Sequence, residues 1–145
     1  MSRPPRFLVV ASGLYGLALG IIALWPTHVD SAFAVNNTFV GRWLIGHGLT
    51  AGESYRLIEF TSNAVMYAPL GVIVMLLVPV LRWWRVCALA LVVSGTFELM
   101  QAVFRPGRTA DLSDIVANTL GAALGVGCVV VMRAIRNQRE VGVGS

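Results

Sequence analysis

Long apolar runs alternate with short polar segments along this chain, and four of the runs are long enough to cross a lipid bilayer. They cover residues 7–25, 60–81, 86–104 and 115–132. About 20 apolar residues in an α-helix span the hydrocarbon core of a membrane. The pattern predicts a single domain, residues 1–145, with an all-α membrane fold. We expect four transmembrane helices in an antiparallel up-down bundle.

Composition agrees with this interpretation. Hydrophobic residues make up 57% of the chain and charged residues 12%, whereas soluble domains carry about 25% charged residues. The net charge of +4 does not indicate a nucleic-acid partner, because the arginines form no basic stripe with stacking aromatics. Cys87 and Cys128 lie inside apolar runs, so neither a disulfide framework nor a cysteine zinc site is expected. We predict no metal and no cofactor.

The first apolar run has features of a secretory signal, since arginines precede it and Ala32-Phe33-Ala34 follows it. A signal core is normally about 7–15 residues long, and this run is longer. We therefore favour an uncleaved first span over a cleaved signal peptide.

The distribution of arginine predicts that both termini lie in the cytoplasm. One side of the predicted bundle carries seven arginines: Arg3, Arg6, Arg82, Arg85, Arg133, Arg136 and Arg139. The other side carries four: Arg42, Arg56, Arg105 and Arg108. Residues 82–85 are read as the short inner turn between the second and third spans.

The outer connection, residues 26–59, is the only long one. Its apolar stretch from Phe39 to Ile45 is either an interfacial or re-entrant piece or a plain surface segment. Thr50 and Glu53 have capping-box spacing, which predicts a helix start near Ala51. At the other end of the chain, residues 141–145 are read as a frayed tail.

Glu98 is the only charged residue inside the four spans. An ionisable residue within a membrane marks a candidate functional site, because stranding it in lipid costs at least about 2.5 kcal/mol. Helical spacing places polar residues on one face of each of three spans. These are Ser94, Glu98, Gln101 and Arg105 on the third; Asp111, Asp114, Asn118, Gly121 and Gly125 on the fourth; Arg56, Glu59 and Asn63 on the second.

Asp111 and Asp114 fall at the predicted cap and first turn of the fourth helix, where the helix dipole favours acidic groups. Counting along the helices places these polar groups at a similar depth near the outer edge. The candidate ligand-binding residues are Glu59, Asn63, Glu98, Gln101, Arg105, Arg108, Asp111, Asp114 and Asn118. The alternative is that such groups serve only as contacts between helices. Gly121 and Gly125, with Ala117, form a ridge of small residues that allows close helix approach, and Pro69 predicts a kink in the second span.

Over about residues 56–125, the chain resembles the VanZ-like family of small bacterial membrane proteins. The similar segments are Glu59-Phe60-x-x-Asn63, Tyr67-Ala68-Pro69-Leu70-Gly71, Glu98-Leu99-Met100-Gln101 and the stretch from Arg108 to Gly121, ending at Gly125. The resemblance implies a four-helix protein of the bacterial cell membrane. It also implies a family link to glycopeptide (teicoplanin-type) resistance, but no defined reaction.

Three functions remain open. The first is binding of an anionic cell-envelope or lipid-linked ligand, with a cell-wall precursor or an anionic lipid as the partner. The second is an intramembrane hydrolase or transferase acting on a lipid-linked substrate, although the sequence has no HExxH, GxSxG or nucleotide-binding motif. The third is a structural accessory subunit. The sequence leaves the oligomeric state and any enzymatic activity undecided.

Overall fold

The computed structural model describes residues 5–24, 36–104 and 111–143, and every regular element in these ranges is an α-helix. The helices are α1 (Arg6–Leu24), α2 (Phe39–Gly46), α3 (Ala51–Leu77), α4 (Trp83–Phe104) and α5 (Leu112–Val143). The prediction of an all-α fold is confirmed.

Three helices have the length and apolar composition needed to cross a membrane: α3, α4 and the Leu112–Arg139 part of α5. The apolar part of α1, Arg6–Ile22, is shorter. The chain is thus a helical membrane protein with three such helices in the described residues. Four crossings and two cytoplasmic termini stay predictions.

Two predicted boundaries near the α3–α4 connection are wrong. Helix α3 ends at Leu77 rather than at residue 81, because a residue preceding a proline, here Val78 before Pro79, is disfavoured in helical conformation. Helix α4 already begins at Trp83, so residues 83–85 form its first turn. The connection is 78–82, not 82–85.

Helix α5 runs beyond the apolar segment predicted for it, from Leu112 to Val143. The prediction of a frayed tail at 141–145 is therefore wrong for residues 141–143, which are helical. Gly144 and Ser145 lie outside the described residues. Six of the eleven added residues, 133–143, are arginine, alanine, glutamine or glutamate, which have high helix propensity. A helix can thus continue where its apolar face ends.

The apolar stretch from Phe39 to Ile45 is helical as α2, and Thr38 caps it by accepting a hydrogen bond from the Gly41 N–H (3.1 Å). Gly41 is buried, and the hydroxyl of Ser54 on α3 donates to its carbonyl oxygen (3.4 Å). Phe39 and Trp43 are exposed. Helix α2 is thus fixed against α3 and presents aromatic side chains outward.

A capping box starts α3 at Ala51, as the sequence predicts. The Thr50 hydroxyl oxygen accepts from the Glu53 N–H (3.3 Å), and the Glu53 carboxylate accepts from the Thr50 N–H (2.8 Å). The 27 residues of α3 extend about 40 Å, beyond the roughly 30 Å hydrocarbon core, so the first turn lies outside the span. Hydrogen bonds from the side chain and then the backbone of Thr50 lower the pKa of Glu53.

This cap predicts a pH-dependent start of α3. A carboxyl whose pKa is lowered on folding stabilises the folded state above its unfolded pKa, and this contribution is lost as pH falls through the lowered pKa. The Glu53 amide should therefore be fully protected from hydrogen exchange at neutral pH. This protection should decrease only at pH values well below 4.5, the ordinary pKa of the carboxyl group. The Thr50→Ala variant should lose protection at both pH values, by about 1 kcal/mol of local stability. Protection in the unmodified protein that does not change with pH would contradict the prediction.

Helices α3 and α5 form the most extensive helix pair, and three glycines allow their backbones to touch. A Cβ atom on Gly121 would overlap the carbonyl oxygen of Ala64, and one on Gly125 would overlap that of Ala68. Gly71 makes the reciprocal contact with the carbonyl oxygen of Ala122. The predicted ridge on α5 is confirmed, and α3 supplies a matching glycine.

The other helices pack around this pair. Helix α4 joins through buried small or β-branched residues, Val86 and Ala90, and Val86 is part of an apolar core with Met75, Val126 and Val129. Helix α1 makes fewer contacts. The hydroxyl of its Tyr15 donates to the carbonyl oxygen of Met66, three residues before Pro69. Helix α3 continues through that proline.

Candidate polar site

Polar side chains from α3, α4 and α5 meet in one layer near the start of α5. Asn63 of α3 donates from Nδ2 to Oδ1 of Asp114 at 2.7 Å. Asp114 lies in the first turn of α5 and is only 7% exposed. A carboxylate there is favoured by the partial positive charge of the helix N-terminus. This hydrogen bond ties α3 to α5 a little less than two turns before the glycine contact at Gly121.

Glu98 of α4 points into the protein and is only 5% exposed. Its Oε2 accepts a hydrogen bond from the backbone N–H of Asp111 at 2.9 Å. Asp111 in turn accepts from the Ser113 N–H through its own Oδ1, at 2.8 Å. Asp111 therefore caps α5, as predicted, and Glu98 binds a backbone donor beside that cap. This hydrogen bond links α4 to the start of α5.

A second set of hydrogen bonds lies farther from the start of α5. Asn118 donates from Nδ2 to the hydroxyl oxygen of Ser94 at 2.8 Å, and Ser94 is also hydrogen-bonded to the phenol of Tyr67. All three side chains are buried. Among the described residues, Oδ1 of Asn118 has no hydrogen-bond partner. Turning the amide over would only exchange the partnered atom for the other one, so Asn118 offers a buried amide atom able to bind a further group.

The predicted faces can now be compared with the structure. Ser94, Glu98 and Gln101 are all buried on α4, so that face is confirmed. Glu59 is half-buried and accepts from the hydroxyl of Tyr55 at 3.1 Å. Arg56 is exposed in the second turn of α3.

Two predicted site residues, Arg105 and Arg108, lie outside the described residues. Pro69 is exposed. The structure thus brings together Asn63, Glu98, Asp111, Asp114 and Asn118 through the bonds above, and Gln101 is buried on the Glu98 face.

Tyr67 is a site residue that the polar pattern did not select. It is 2% exposed, bonds to Ser94 and lies within electrostatic range of Glu98 and Asp114. A signal existed, because Tyr67 follows Asn63 by four residues and Gly71 follows Tyr67 by four. That spacing places all three on one face of α3.

The Asn63–Asp114 bond predicts a measurable coupling between α3 and α5. We expect Asn63→Ala and Asp114→Ala to show a coupling free energy of about 1 kcal/mol in a double-mutant cycle, since membrane hydrogen bonds reach at most about 1.7 kcal/mol. Unfolding of the purified protein in mixed SDS micelles measures it. Asn63 with the exposed Thr96 is a control pair that should show none. Strictly additive effects for Asn63 and Asp114 would contradict the bond.

The chemistry that these groups can perform is hydrogen bonding and charge pairing. Among the described residues, no group of three or more His, Cys, Asp or Glu side chains is placed to hold a metal ion. The hydroxyl of Ser94 has an amide and a phenol as its neighbours. The layer therefore presents carboxylates, amides and one phenol to whatever it contacts.

Comparison with known proteins identifies the family. The family model described as VanZ/LLP1 matches residues 12–133, which extends the resemblance seen at 56–125 to most of α1. Protein VanZ of Enterococcus faecium is 29% identical over 92 residues, covering 63% of this chain and 55% of that protein. The chain thus spans about half the length of this curated relative, and no solved structure matches it. This chain belongs to the VanZ/LLP1 family.

Proposed function

We propose that this chain is a multi-pass protein of the bacterial cell membrane whose polar layer binds an anionic cell-envelope or lipid-linked ligand near the outer leaflet. One observation carries the proposal. Two carboxylates on different helices, Glu98 and Asp114, are buried in the same hydrogen-bonded layer of an otherwise apolar bundle.

Helix packing alone does not require this arrangement. The contact between α3 and α5 is already made by Gly71, Gly121 and Gly125, whose backbones touch the opposite helix. Buried carboxylates are costly in an apolar surrounding unless they are paired. A layer that retains two of them, together with a buried amide oxygen of Asn118 able to accept a further bond, supports ligand binding.

The proposed roles follow from the chemistry of each side chain. Arg105 directly follows α4 in the sequence, and Arg108 lies three residues before the cap Asp111. Guanidinium groups bind phosphate or carboxylate through two parallel hydrogen bonds, so these arginines would bind the anionic group of the ligand. Glu98 would serve as counter-charge or proton acceptor, and Asn118 would accept from a ligand hydroxyl or amide.

Binding of a polyprenyl pyrophosphate by the purified full-length chain tests the proposal. In detergent micelles, native mass spectrometry should detect one bound molecule. Arg108→Ala and Glu98→Gln should each weaken binding at least tenfold, since charged hydrogen bonds contribute about 1.5–3 kcal/mol. Arg139→Ala on the distant part of α5 is the matched control and should bind normally. Unchanged binding by both site variants would contradict the proposal.

The same experiment separates the alternatives. Release of phosphate from the pyrophosphate would indicate the hydrolase or transferase, for which Ser94 in the same layer is the available hydroxyl. Variants that lose stability without any ligand effect would indicate a structural subunit. The family link to glycopeptide resistance is a separate expectation, tested by the teicoplanin susceptibility of a host carrying Glu98→Gln.

A further inference from the structure

A cavity lies between the end of α3 and the later turns of α5, away from the polar layer. It has a volume of about 660 Å³. Its apolar wall is formed by Leu76, Val129 and Met132, and its polar wall by Arg133, Arg136 and Asn137. We call these six residues the basic groove. None of them belongs to the polar layer described above.

The groove changes from apolar to basic along one direction. On α5, Val129, Met132, Arg133 and Arg136 share one helix face, because Met132 and Arg133 each lie three or four residues from Val129 and from Arg136. Val129 and Arg136 are about 10 Å apart along the helix axis. A molecule lying in the groove would therefore contact hydrocarbon side chains at one end and guanidinium groups at the other.

Arg133 is held in place by the fold. Its guanidinium donates to the carbonyl oxygen of Met75 at 2.6 Å, one of the last carbonyls of α3, which have no partner within the helix. Its side chain is half-buried, whereas Arg136 is exposed one turn farther along. After Asp114 the sequence contains one carboxylate, Glu140, against the three arginines 133, 136 and 139. The groove thus lies in a strongly basic part of the chain.

The position of the groove fits a membrane surface. Asp114 and Arg133 are 19 residues apart on the same helix, which is about 28 Å and close to the thickness of the hydrocarbon core. Trp83 and Trp84 start α4 just after α3 ends, and both are exposed. Exposed tryptophans beside arginines are typical of the boundary between lipid and water.

We infer that the basic groove binds an anionic phospholipid, with its phosphodiester on Arg133 and Arg136 and an acyl chain along Leu76, Val129 and Met132. Charge complementarity selects this occupant, and the apolar wall distinguishes a lipid from a free anion. The inference does not rest on the proposed function, because the two sites lie at opposite ends of the bundle. Lipid bound here would stabilise the junction of α3 and α5 where Arg133 already bonds to Met75.

Native mass spectrometry of the full chain in nonionic detergent, with phosphatidylglycerol or phosphatidylcholine of the same acyl chains, tests this inference. We expect one phosphatidylglycerol to be retained in clear preference to phosphatidylcholine. Arg136→Gln should weaken phosphatidylglycerol binding about fivefold, the effect typical of one arginine at an anionic surface. Arg136→Lys should retain most of it. Arg136 is the residue to change, because replacing Arg133 would also remove its bond to α3.

Arg139→Gln is the matched control, since it removes the same charge one turn beyond the groove. Equal losses for Arg136→Gln and Arg139→Gln would overturn the inference and indicate only general electrostatic attraction. Complete displacement of the lipid by millimolar inorganic phosphate would also overturn it, indicating a free-anion site. Binding at the groove is the part lost in Arg136→Gln and retained in Arg108→Ala, whereas binding at the polar layer is the part lost in Arg108→Ala and retained in Arg136→Gln, so failure of one proposal is distinguishable from failure of the other.

Discussion

Gly121→Ala is expected to lower the free energy of unfolding by about 3 kcal/mol, at the upper end of the usual cost of overpacking a core. The added Cβ would overlap the carbonyl oxygen of Ala64. Because that oxygen belongs to the backbone of α3, no side-chain rotation can relieve the overlap and the two helices must separate. Unfolding in mixed SDS micelles, followed by circular dichroism, measures the loss.

Gly127→Ala provides the matched control on the same helix. A Cβ at Gly127 would have no atom within 4 Å, and alanine is favoured over glycine in a helix by about 1 kcal/mol. This variant should be equal to the unmodified protein or slightly more stable. A Gly121→Ala protein as stable as the Gly127→Ala protein would contradict the close backbone contact between α3 and α5 at Gly121.

Glu98→Ala is expected to have the second-largest effect, a loss of about 2 kcal/mol in the free energy of unfolding. The substitution removes the acceptor of the Asp111 N–H and leaves a backbone donor without its partner at the start of α5. Such a loss costs about 1–3 kcal/mol. It also leaves a space where a buried side chain was. The same unfolding measurement applies.

Glu98→Gln separates the structural part of this effect from the functional part. Glutamine retains a side-chain oxygen that can accept from Asp111, so its stability should stay within about 1 kcal/mol of the unmodified protein. Loss of polyprenyl pyrophosphate binding with retained stability would support a ligand-binding role for the charge. A Glu98→Gln protein as unstable as Glu98→Ala would show that the carboxylate acts mainly in folding.

The candidate site could be predicted in part because helical spacing is regular. In an α-helix, positions three or four apart share a face, and this spacing places Ser94, Glu98 and Gln101 together. Glu98 was singled out by its charge alone. Asp111 was identified as a cap from its position before an apolar run, and its bond to the Ser113 N–H agrees.

Pairing between helices could not be predicted in the same way. Counting residues from the ends of the spans places Asn63, Gln101 and Asn118 at one depth. It does not indicate which of these groups bonds to which partner. In the structure Asn63 reaches Asp114, while Asn118 reaches Ser94. Tyr67 joins that second set. These choices depend on the relative rotation and axial shift of two helices, which a one-dimensional pattern does not contain.

The sequence by itself determined the helical membrane fold, the family, the capped starts of α3 and α5 and the polar face of each helix. The family follows from segments that match known proteins, and the other features follow from local chemistry: apolar length, capping hydrogen bonds and the period of an α-helix. Only the tertiary structure decided the register of α3 against α5, because it is set where Gly71, Gly121 and Gly125 let backbones touch. That register brings Asn63 to Asp114, and it also forms the basic groove at the other end of the same helix pair.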